Sequence, residues 1–122
     1  MINQRLRDAL APTGTLRAGI NLSNFLLVSG QNTDGTPAGV SPDLARHIAA
    51  ILDVPCQFVA FETPGQLADA ATDDVWDICN IAHEPERARL IDFSQPYVLI
   101  DAHFLVRADS PFTSNEDIDQ AN

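Results

Sequence analysis

The stretch SPDLARHIAAILDVPCQFVAFE, Ser41 to Glu62, changes its hydrophobic period once along its length. Up to Leu52 the apolar positions Leu44, Ala45, Ile48, Ala49, Ile51 and Leu52 recur at helical spacing and define one face. Ser41 suits an N-cap, Pro42 the first turn, and Asp43 the positive end of the helix dipole. Pro55 then marks a stop, and CQFVAFE reads as a strand. A helix that delivers the chain into a strand is half of a crossover unit, so the question is what lies on either side.

Upstream, TLRAGINL reads as another strand, with Leu16, Ala18 and Ile20 alternating against Arg17 and Gly19. Residues 2–10 predict a short amphipathic helix ended by Pro12 and Gly14. Residues 23–39 predict a loop, with NTDGTPAG dense in turn residues and the run Phe25 to Val28 unexpectedly apolar. Downstream, PGQLADAATDD predicts a short helix with Leu67, Ala70 and Ala71 inward. VWDICNIA follows as a strand covered on both faces, Pro85 opens a helix over PERARLI, and AHFLVRA predicts a fourth strand before a polar tail. Strand and helix alternate throughout. The fold class expected is α/β, a three-layer sandwich with a mainly parallel sheet and helices on both faces. Ligands of such sheets bind beyond the carboxyl ends of the strands, here residues 21–25, Glu62 with Thr63, and residues 79–83.

Composition narrows the function classes. The 122 residues make one domain, and 45% hydrophobic content is enough for an ordinary core. Seventeen acids face 7 arginines and no lysine, for a net charge of -10, which argues against nucleic acid and anionic membranes as partners. No apolar run reaches the roughly 20 residues of a membrane span, so no membrane insertion is expected. The N-terminal residues lack the apolar core and cleavage site of a secretory signal, which leaves a cytoplasmic location open. Cys56 and Cys79 fit no metal spacing and read as buried free thiols.

The stretch CNIAHEPERARLIDFSQPY, residues 79–97, concentrates the chemistry. A zinc-protease helix needs a second histidine four residues after His83, where Arg87 stands. His83, Asp101 and His103 do not demand a metal site, and Ser94 lies outside any nucleophile elbow. No cofactor and no catalytic constellation is identified. Glu84 and Glu86 read as acids at a helix start. Arg87 admits two readings: a planar fork reaching back over the strand ends for a carboxylate, or a surface arginine paired with Glu84 at i, i+3.

The order Gly39-Val40-Ser41-Pro42-Asp43-Leu44, Asp77-Ile78, Glu84-Pro85-Glu86-Arg87 and Asp92-Phe93-Ser94-Gln95-Pro96-Tyr97 resembles the first lobe of a type 2 periplasmic solute-binding protein. More narrowly it is similar to family 3, the polar amino-acid-binding components of ABC transporters. The resemblance implies one lobe of that fold, with residues 1–14 as an N-terminal extension or short helix, 15–108 as lobe 1 and 109–122 as a hinge-side tail, the second lobe being absent. It implies a small-molecule ligand, an amino acid or related carboxylate, held by Arg87. Asn80 would offer a side chain, Ala82 a backbone amide and Phe25 a covering aromatic wall, with His83 beside them. Glu84 replaces the family's threonine and disfavours an acidic ligand or selects a basic one. An ABC permease is the implied partner of a full-length protein, and the periplasm the implied location. A lobe alone is expected to bind weakly. Its exposed interlobe surface, with Phe25, Leu26, Leu27 and Tyr97, or its sheet edge, favours a homodimer. The alternatives are a dehydratase-like enzyme using Glu62, His83 or Glu84, and a ligand-independent interaction module.

Overall fold

The computed structural model describes residues 3–119. Helix α1 (Gln4–Leu10) precedes strand β1 (Leu16–Asn21), a small hairpin of β2 (Gly30–Gln31) and β3 (Pro37–Ala38), and helix α2 (Val40–Leu52). Strand β4 (Cys56–Phe61), helix α3 (Pro64–Asp69), strand β5 (Ile78–Cys79) and helix α4 (Asn115–Asp119) complete the order. Residue 2 and residues 120–122, which the expected helix and tail include, lie outside the described residues.

The main sheet is parallel, in the order β4-β1-β5. β1 and β4 pair without a break from Leu16 with Cys56 to Asn21 with Phe61. Leu16, Ala18 and Ile20 turn one face of β1 toward Ala45, Ala49 and Leu52 of α2, and these residues are buried. The opposite face carries Gly19, where an added Cβ would stand 2.5 Å from Leu67 Cδ1 and 3.3 Å from Trp76 Cγ. Glycine here lets α3 and the Trp76 ring lie directly on the strand. Trp76 Nε1 donates to the Leu67 carbonyl at 3.1 Å, which gives the half-buried indole its partner. Helices thus lie on both faces of a parallel sheet, as expected.

Helix α2 matches its reading except at its start and at Ile51, which is expected on the buried face and is 51% exposed. The cap is Gly39, not Ser41. Gly39 adopts φ 133°, and a Cβ there would stand 2.5 Å from the Leu27 carbonyl oxygen. Ser41 lies inside the helix, buried, its N–H donating to Leu27 O at 3.0 Å. The chain end of the preceding loop therefore selects the cap. Asp53 closes the helix in the left-handed region, its N–H donating to Ala49 and Ala50 carbonyls. Thr63 starts α3 with a reciprocal capping box to Gln66.

Six expectations change. Residues 23–39 are not all loop: β2 and β3 pair antiparallel within them. The apolar run splits, with Leu27 and Val28 in the core and Phe25 and Leu26 exposed, so half of it is core, and Leu27 leaves the proposed interlobe patch. VWDICNIA contributes only Ile78–Cys79 to the sheet, half-buried beside β1 rather than covered on both faces. PERARLI forms a single 3-10 turn over Arg87–Arg89, because no residue in it is buried and a lone turn cannot offset helix nucleation. AHFLVRA forms no strand; Phe104 is exposed and Leu105 fully so, with no neighbouring strand to accept its backbone. The polar tail, conversely, holds α4. Ser114 and Asp117 cap it reciprocally: Asp117 N donates to Ser114 Oγ at 3.3 Å and Ser114 N to Asp117 Oδ2 at 3.0 Å.

Cys56 and Cys79 are free but half-buried rather than buried, on strands separated by β1. Two strand spacings amount to about 10 Å, beyond the reach of a disulfide.

Candidate functional site

The chain runs from β1 through α2 to β4 on one side, then through α3 to β5 on the other side of β1. The strand order therefore switches between β1 and β5, and in sheets of this kind ligands bind beyond the carboxyl ends of the strands at such a switch. At the end of β1, Asn21 is buried, and its Oδ1 accepts from Ser23 N at 3.1 Å and Ser23 Oγ at 2.8 Å. Asn24 O then accepts from Leu27 N at 3.1 Å and Val28 N at 2.8 Å. This tight turn draws Leu27 and Val28 inward and leaves Phe25 79% exposed at the strand end.

At the end of β5 the chain folds back on itself. Asn80 Nδ2 donates to Tyr97 Oη at 2.9 Å. Burial raises the Tyr97 hydroxyl above its ordinary pKa, with the Asn80 bond acting the other way. His83 sets its ring edge-on to Phe93, centroids 4.7 Å apart. Arg87 Nη1 donates to the Ala82 carbonyl at 3.1 Å and lies 3.1 Å from Glu84 Oε1. The Arg87 side chain is 17% exposed, although the turn that carries it has no buried residue. Its Nε and Nη2 make no hydrogen bond among the described residues. Burial pushes the Cys79 thiol up to about 11, and the charge of Arg87 opposes that shift, since the guanidinium lies back toward the strand.

Asn80, Ala82, His83 and Arg87 thus share one short stretch after β5, while Phe25 comes from the end of the neighbouring strand. Ala82 meets Arg87 through its carbonyl, a contact that spacing does not reveal. Two partners escaped sequence reasoning: Tyr97, which occupies Asn80, and Phe93, which supports His83. Both belong to the Asp92-to-Tyr97 motif, so the motif itself was the signal. The i, i+3 pairing of Glu84 with Arg87 is present, and it leaves the outer edge of the guanidinium open. Glu62 stands at the end of β4, its N–H donating to Gln66 Oε1 at 3.1 Å, and Glu84 is engaged by Arg87.

Among the described residues, no group of three or more His, Cys, Asp or Glu side chains is arranged to hold a metal ion. A wide groove of about 950 Å³ lies elsewhere, between the β2–β3 hairpin, α2 and the outer edge of β4. Its floor is Arg46 stacked 4.7 Å over the Phe58 ring and bonded to Thr36 and Pro37. Arg46 also pairs with Asp43 at 2.8 Å, so its fork is already occupied.

Known proteins resemble this arrangement. Residues 16–120 match the family described as bacterial extracellular solute-binding proteins, family 3. The crystal structure of an ancestral cyclohexadienyl dehydratase is similar, with 30% identity and a TM-score of 0.64, covering 75% of this chain and 38% of that one. An ancestral cationic amino acid solute-binding protein is 28% identical with a TM-score of 0.64, covering 76% of this chain and 41% of that one. The chain therefore spans about two fifths of the length of these structures. No curated protein matches the chain. Among the described residues no helix is long and apolar enough to cross a membrane. A parallel sheet switching strand order at β1 and β5, with a match over nearly all of its sheet and site, makes this α/β unit a single lobe of the type 2 periplasmic binding protein fold, and the chain belongs to the bacterial extracellular solute-binding proteins, family 3.

Proposed function

We propose that this chain is the ligand-holding lobe of an amino-acid-binding protein that serves an ABC permease in the periplasm. Arg87 binds the ligand carboxylate. The observation that carries this reading is its open Nε–Nη2 edge on a side chain otherwise held by Ala82 O and Glu84. A guanidinium fixed on one side presents two parallel donors on the other, the geometry that suits a carboxylate. Asn80, Ala82 and His83 border the same crevice, and Phe25 forms an apolar wall from the end of β1. Residues 15–108 act as the lobe, and residues 109–122 lead toward a second. The solved neighbours whose names describe amino acid binding support the ligand class.

One lobe buries little of a small ligand, so binding by this chain alone is weak, in the millimolar range or worse. The exposed apolar side chains Phe25, Leu26 and Tyr97, and the outer edge of β4, favour self-association. The test is ligand titration followed by NMR, which reads millimolar affinities. Free amino acids should shift the Arg87 Nε–H resonance, and Arg87→Ala should abolish every ligand-dependent shift. If saturating amino acid leaves Arg87 unmoved, the reading is wrong.

A second reading, a dehydratase acting on a cyclohexadienyl substrate, rests on the 30% identical ancestral enzyme. It requires an acid–base pair, and Glu84 is already tied to Arg87. Turnover of a prephenate-like substrate, measured by the loss of its carboxylate as carbon dioxide, would favour it over binding alone.

A further inference from the structure

We infer that Glu84 makes this site selective for cationic amino acids, an assignment that rests on Arg87 binding the ligand carboxylate. Glu84 Oε1 lies 3.1 Å from Arg87 Nη1. Its side chain is 54% exposed, whereas that of Arg87 is 17% exposed, so the acid forms the open rim of the pair.

The charges at the site decide the ligand. Arg87 and Glu84 cancel, so a bound carboxylate adds one uncompensated negative charge next to an existing one. At separations of a few ångströms such like charges repel appreciably even with partial solvent screening. A ligand avoids that cost by bringing its own cation within reach of Glu84. A neutral amino acid has only its α-ammonium, which its own carboxylate already attracts. Lysine, ornithine or arginine carries a second cation on a flexible stem. A dicarboxylate needs another positive group in the protein. The next arginine in sequence, Arg89, is paired with Glu86 at 3.0 Å and is itself solvent-exposed. The net charge of -10 adds a field that draws cations toward the lobe as a whole.

The experiment titrates this chain with L-lysine, L-glutamine and L-glutamate at fixed ionic strength, reading the Arg87 Nε–H and backbone amides of residues 80–87 by NMR. L-Lysine should bind at least about tenfold more tightly than L-glutamine, and L-glutamate most weakly. Glu84→Gln, nearly isosteric, should bring the three affinities to within about threefold of one another. Equal affinities in the wild-type chain, or a lysine preference that survives Glu84→Gln, would overturn the assignment while leaving the role of Arg87 intact. Failure of all three ligands to move Arg87 would overturn both.

Discussion

Arg17 and Asp77 lock β1 to β5 from both ends of their side chains and through their backbones. Arg17 N and Nε both donate to Asp77 Oδ2, at 2.8 and 3.1 Å, and Nη2 donates to Oδ1 at 2.7 Å. Asp77 N returns a bond to the Arg17 carbonyl at 2.8 Å. Asp74 completes the set, accepting from Arg17 Nη1 at its carbonyl and from Nη2 at Oδ1. These bonds hold the Arg17 guanidinium above its ordinary pKa, Asp77 contributing most. Because β5 has only Ile78 and Cys79 in the sheet, this clamp supplies much of its register. Removing Asp77 leaves Arg17, whose side chain is only 15% exposed, with Asp74 as its remaining acidic partner and its Nε without one. Asp77→Ala should lower Tm by at least about 5 °C, with Asp77→Asn intermediate because its amide oxygen still accepts from Arg17 N. Thermal melts followed by circular dichroism decide; an unchanged Asp77→Ala would show that β5 is held by packing alone.

Gly39→Ala should cost about 1–3 kcal/mol. The substitution forces a Cβ to 2.5 Å from the Leu27 carbonyl at φ 133°. Relief requires moving the chain that supplies Leu27 O to Ser41 N, so hydrogen exchange at Ser41 should rise together with the loss of stability in urea. Gly14 also has positive φ but open space around it, and Gly14→Ala serves as the comparison that isolates the steric contribution.

Cys79 should resist alkylation at neutral pH. Burial favours its neutral thiol and pushes it up to about 11. With a folded pKa above the ordinary thiol value near 9, its contribution to stability is fully present below that value and is lost as pH rises toward 11. In Cys56→Ser protein, the iodoacetamide rate at pH 8 should fall at least about tenfold below that of an unfolded control. A rate equal to the control would place Cys79 in solvent.

Acid should loosen the β2–β3 turn and the start of α4 by the same kind of event. Asp34 is depressed by hydrogen bonds from the Thr36 hydroxyl and backbone, and Asp117 by those from Thr113 and Ser114. For such groups the stabilisation is present above the ordinary carboxylate value near 4 and is lost as pH falls through the depressed one. Amide exchange at Thr36, Thr113 and Ser114 should therefore accelerate at lower pH than a model aspartate titrates. Acceleration centred near pH 4 would show that these turns do not hold their carboxylates.

Sedimentation should report self-association at high protein concentration, strengthened by added salt, because two copies of net charge -10 repel at low ionic strength. A single monomeric species throughout would remove the homodimer from the proposal.

Helix α2, strands β1 and β4 and the α/β class were legible in the sequence because each carries its own signal. A helical face, a proline stop and an alternating strand are local patterns that need no knowledge of neighbours. The chemistry of residues 79–97 and the i, i+3 spacing of Glu84 and Arg87 were local signals of the same kind. Other features depend on partners far along the chain. Residues 102–108 have a strand's composition and no strand's structure, because a strand exists only where another backbone completes its hydrogen bonds. Ser41 is a good cap by type, yet Gly39 caps α2 because Leu27, twelve residues upstream, approaches too closely for any side chain. Arg17 meets Asp77 across sixty positions, and no periodicity connects them. Only the folded sheet decided that the fork of Arg87 keeps one edge in contact with Ala82 and Glu84 and leaves the other open, since hydrogen-bond occupancy is a property of assembled neighbours.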